Sequence, residues 1–375
     1  MKKKSRKPFY AILLLTLPTL VIALAAAILM NWAIPTLVEV NITIDRAVFE
    51  VGGDESVSVL NCTVFESLTV EKFNRVAFNP ETFAVANPAE YSLTEDRYPE
   101  SAWHKLTVSS SLEITGEEET LQPAITLERF SSSSRDTGVL DQVLVKPGAL
   151  VTLEVRGTRT TGLTLKIEDQ TSSAALSIRE PFLLLTAYCR ISGLTGSPFK
   201  TDLLTYMGQL PEHSTEIEID AGDNSLVLIL RISHEDKTAL FSKEVIPVTA
   251  LNFTHQKATG GYRTALVKEG RVNYPEYPQL NRKTVRPPDF LSLNKLEKFH
   301  IKEITLDPQQ GGISLRMEGI AGVIRAGSQE FLRDYRLTLF DRLWLNPRLT
   351  VLFSIIVWIF PTTIGGYKLY KELCH

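Results

Sequence analysis

Two stretches of this chain carry no charge, and between them polar and apolar positions alternate. The first covers positions 8–38, and its core, Phe9 to Met30, is almost entirely Leu, Ile, Val, Ala and Phe. Wound as a helix, those 22 residues reach about 33 Å, against a bilayer hydrocarbon core of about 30 Å. The second covers positions 349–367, reaching about 28 Å, on the short side for a span. Both read as transmembrane helices, over 9–31 and 348–367. Asn346 is the expected N-cap of the second, with Pro347 at its first position.

The flanks orient these helices. Lys2, Lys3, Lys4, Arg6 and Lys7 precede the first with no acid among them, and Lys368 and Lys371 follow the second. Positive flanks stay on the cytoplasmic side. Residues 1–8 and 368–375 are therefore expected to be cytoplasmic tails, with 36–347 outside the cytoplasm. Trp32 and Trp344 mark the headgroup level, where amphipathic rings settle. The rival reading of the first run is a cleaved signal peptide, with Ala23, Ala25 and Ala27 at cleavage-type spacing. Secretory apolar cores span about 7–15 residues, and this longer run favours a retained anchor.

Between the anchors the apolar period is two, so the fold class expected is mainly β, a body of sandwich or jelly-roll type. Val38, Val40, Ile42 and Ile44 alternate with Glu39, Asn41, Thr43 and Asp45. A phase shift then gives a second strand ending at Gly52 and Gly53, so the chain enters a sheet with no stalk. Further strands are expected at 57–60, 106–108, 112–115, 124–127, 143–145, 150–156, 163–168 and 182–191. Residues 70–105, with Pro80, Pro88 and Pro99, read as a long loop with a short helix. The polar stretch 130–138 reads as an exposed loop or a split between two sub-domains within 36–255. Ile217 and Ile219, the turn 220–224 and the run 226–232 predict a hairpin.

Residues 256–327 form a Pro-rich extended segment followed by a second hairpin, with its turn at 307–312. Four prolines and two tyrosines in 271–288 predict a chain draped over the body or serving as a tether. Residues 328–346 read as an amphipathic helix along the membrane interface, although Tyr335, Leu337 and Leu339 also alternate like a strand.

Charge divides this middle region. Residues 36–270 hold 20 basic and 33 acidic groups, whereas 271–342 hold 12 and 9. The cationic portion adjoins the second anchor and suits anionic headgroups. The acidic remainder excludes nucleic acid as a partner, since that needs clustered Lys and Arg. Cys62 and Cys189 are the candidate disulfide in an oxidising compartment, while Cys374 falls across the membrane from both.

Sequence motifs assign no catalytic residue, metal ligand or cofactor. The histidines form no HExxH pair, and CxxC, GxSxG and Walker-type loops are missing. The leading expectation is a non-enzymatic interaction or scaffold subunit of an envelope complex, its acidic body meeting another envelope protein or a glycan. The alternative is a lipid- or glycan-binding protein with a groove in the β body, and the third a hydrolase whose site is assembled from distant loops.

Overall fold

The computed structural model describes residues 24, 27–28, 32–65, 67–79, 82–86, 104–115, 124–128, 138–156, 161–168, 172–179, 183–187, 190–195, 204–209, 215–222, 225–232, 240–242, 244–256, 262–264, 268–280, 283–286, 290–307, 312–327, 332–346, 348, 350–351, 354–355, 358, 365 and 368. The chain is mainly β and its sheets are antiparallel. The strands open with β1 (Thr36–Ile44), β2 (Arg46–Val51), β3 (Val57–Phe65), β4 (Ser67–Glu71), β5 (Arg75–Phe78), β6 (Thr82–Ala86), β7 (His104–Thr115) and β8 (Ala124–Glu128). Next come β9 (Gly138–Val145), β10 (Leu150–Arg156), β11 (Thr161–Glu168), β12 (Ser172–Arg179), β13 (Leu183–Ala187), β14 (Arg190–Thr195), β15 (Leu204–Gln209), β16 (Thr215–Gly222) and β17 (Leu226–Ile232). The series ends with β18 (Leu240–Ser242), β19 (Ile246–Asn252), β20 (Thr254–Gln256), β21 (Tyr262–Thr264), β22 (Glu269–Asn273), β23 (Lys283–Val285), β24 (Phe290–Asp307), β25 (Gly312–Gly327) and β26 (Leu332–Asp334). A short helix, α1 (Leu339–Leu345), follows.

Apart from β20 and β21, which pair only with each other, the strands join in two ladders. The longer runs β23–β22–β1–β25–β24–β19–β2–β10–β11–β17–β4–β8–β13–β15–β6–β7. The shorter runs β3–β9–β12–β16–β5–β7–β14. The two meet through β7, whose first half pairs with β6 and second half with β5. At the opposite margin Glu244, just past β18, accepts from the Ser58 N–H (3.3 Å) and the Asn61 amide (2.9 Å), both on β3.

One apolar core serves both ladders. In β1 the expected alternation holds, with Val38, Val40, Ile42 and Ile44 all buried. The phase slips at Asp45, and Ala47, Phe49 and Val51 of β2 are buried in turn. Phe49, Phe65, Phe73, Phe253 and Phe299 are the largest fully buried side chains. Burying an aromatic ring of this size stabilises a fold by about 1.5–3 kcal/mol.

The hairpin expected at 307–312 is present, closing with Asp307 opposite Gly312. The one expected at 220–224 is not a hairpin. Both edges of β16 are taken by β12 and β5, and both edges of β17 by β11 and β4. The segment between them carries the chain from one ladder to the other. The turn at Lys146–Gly148 does the same between β9 and β10, with Gly148 at φ +85. Periodicity of two says that a segment is a strand; it does not say which sheet receives it.

Three other expectations are adjusted. Residues 70–105 contain the end of β4, β5, β6 and the start of β7; 80–81 and 87–103 lie outside the described residues. The runs expected at 106–108 and 112–115 are one strand, β7. Of 271–288, the described residues, 271–280 and 283–286, are draped over the body, because β22 pairs with β1 and β23 with β22. The stretch 129–137 is outside the described residues, and strands from both sides of it share both ladders. No helix of the described residues is long and apolar enough to cross a membrane. Most of both terminal runs lies outside them.

Candidate functional site

Residues about 300 positions apart meet where the chain enters and leaves the body. Ile34 N–H donates to the Leu337 carbonyl (3.2 Å), Leu339 N–H donates to the Trp32 carbonyl (3.0 Å), and Ala33 bridges to Thr338. Arg342 adds a bond from Nη2 to the Pro35 carbonyl (3.0 Å). Together they form a collar. Helical residues Leu24, Ala27 and Ile28 lead into it, and Trp32 N–H closes a helical bond on the Ile28 carbonyl (2.8 Å). On the far side, Arg348, Thr350, Val351, Ser354, Ile355, Trp358, Gly365 and Lys368 are helical.

The expected interfacial helix over 328–346 is a strand followed by a helix. Leu332–Asp334 pairs with the end of β25, and α1 starts only after Thr338. Between them Tyr335 N–H donates to the Ile324 carbonyl (2.8 Å), and Leu337 is buried. Thr338 then caps α1. Its hydroxyl oxygen accepts from the Asp341 N–H (3.1 Å), and Asp341 Oδ2 accepts from the Thr338 N–H (2.8 Å). This is a capping box with Asp in the acidic position. Asn346 ends α1 and begins the next helix. Its N–H reaches the Arg342 carbonyl, its Oδ1 accepts from the Arg348 N–H (3.1 Å), and its carbonyl accepts from the Thr350 N–H (2.9 Å). The N-cap expected at Asn346 is therefore present.

Two polar contacts lock the collar to the ladders. Tyr274 is 4% exposed, and its hydroxyl donates to the Tyr335 carbonyl. Burial, with negative groups nearby, pushes its pKa well above the ordinary phenol value. Arg336 donates to both carboxylate oxygens of Asp334 and, through Nη1, to the Gly322 carbonyl (2.9 Å) on β25. Partial burial raises the Asp334 pKa, but the Arg336 hydrogen bonds outweigh it and hold the carboxyl below its usual range.

The outer surface of this end is apolar. Trp32 is 59% exposed, Trp344 70% and Trp358 74%, with Val351 and Ile355 also outward. Phe340 stacks on Trp344, centroids 6.2 Å apart and planes at 18°. A notch of about 280 Å3 lies beside them, lined by Leu280, Phe340, Asp341, Trp344 and Leu345.

Of the residues singled out from sequence, the structure brings Trp32 and Trp344 to the same end of the body. Lys368 is helical and exposed, and Lys371 lies outside the described residues. Cys62 is on β3. Cys189 lies outside the described residues; the strand after it, β14, is the edge of the shorter ladder opposite β3. No group of three or more His, Cys, Asp or Glu able to hold a metal occurs among the described residues. Sequence reasoning missed Tyr274, Arg336 and the Thr338 capping box. Only the last left a local signal, Thr338 followed three residues later by Asp341.

No protein-family model, curated protein or solved structure matches this chain.

Proposed function

We propose that this chain is a membrane-tethered, non-enzymatic scaffold. A sandwich-type β body stands outside the cytoplasm, held by one span at 9–31 and another at 348–367. Both termini, with Lys368 and Lys371, lie on the cytoplasmic side, and Trp32 and Trp344 sit at headgroup level. The acidic body meets another envelope protein.

The observation that carries this reading is the collar. Both apolar runs leave the body from one backbone junction, so one bilayer can receive both. Exposed Val351, Ile355 and Trp358 favour the same surroundings, because a helix with apolar residues facing outward gains by leaving water. The cationic 271–342 region lies on this end of the chain and suits anionic headgroups.

Isolation from the native membrane in mild detergent tests the scaffold role. The expected result is a stoichiometric envelope protein that stays bound; a lone monomer would overturn it. Compartment has a separate test. A Lys146→Cys variant on the β9–β10 turn is expected to react with membrane-impermeant maleimide in intact cells. Labelling only after lysis would put the body in the cytoplasm and end the proposal.

A further inference from the structure

We draw no further inference here: the strongest candidate, the open apolar notch between Leu280 and α1 with Phe340 and Trp344 on its wall, carries nothing because nothing in the structure shows what covers it.

Discussion

Gly319→Ala is the most demanding substitution that the body offers. Between Glu297 and His300 the β24–β25 register slips by one residue, and Lys298 adopts φ +48. The slip carries Phe299 across the face of β25, directly over Gly319. A Cβ at position 319 would lie 2.4 Å from Phe299 Cα, 2.6 Å from its Cδ2 and 2.8 Å from the Lys298 carbonyl oxygen. Ordinary contact begins at 3.4 Å, so the strands must part by about 1 Å. Overpacking of this kind costs about 1–3 kcal/mol, and the backbone is the obstacle, which favours the upper end. Alanine returns about 0.4–1 kcal/mol by restricting the unfolded chain. The expected net loss is about 2 kcal/mol, read as a lower denaturant midpoint at unchanged slope for the full chain in mild detergent. Most of the penalty should persist in a Phe299→Leu background, since trimming the ring removes neither Phe299 Cα nor the Lys298 carbonyl. A Gly319→Ala midpoint within about 0.5 kcal/mol of the parent, or full rescue by Phe299→Leu, would refute the reasoning.

Tyr274→Phe should cost about 1 kcal/mol at neutral pH, as the Tyr335 carbonyl loses its donor. It should also change the alkaline limb. The unfolded phenol loses its proton near pH 10 while the buried one retains it, so the unfolded chain binds fewer protons above pH 10. Stability from this group is complete below about pH 10 and falls with rising pH, by up to about 1.4 kcal/mol per unit; Tyr274→Phe should flatten that slope in denaturant midpoints. Thr338→Ala removes a capping box and should cost about 1 kcal/mol, accompanied by faster amide exchange at Asp341 and Arg342.

What the sequence made legible was local. The alternations in β1 and β2, their phase slip at Asp45 and the β24–β25 hairpin each lie within a few residues, where period and turn chemistry act directly. Asn346 was legible for the same reason. The segment 220–224 was misread because Gly222, Asp223 and Asn224 suit a connection between sheets as well as a turn within one. Residues 332–345 carried both periods, and the chain uses each in turn, strand and then helix. The collar left no local trace. It pairs residues 32–35 with residues 337–342, and only tertiary packing brings those stretches together.

That junction also settles how the molecule bears load. Tension applied between the two greasy ends runs straight across a few hydrogen bonds at the junction, and the ladders hang from it as a slack loop. Rupture would begin there, unbuttoning the ends before any strand of the body is stretched.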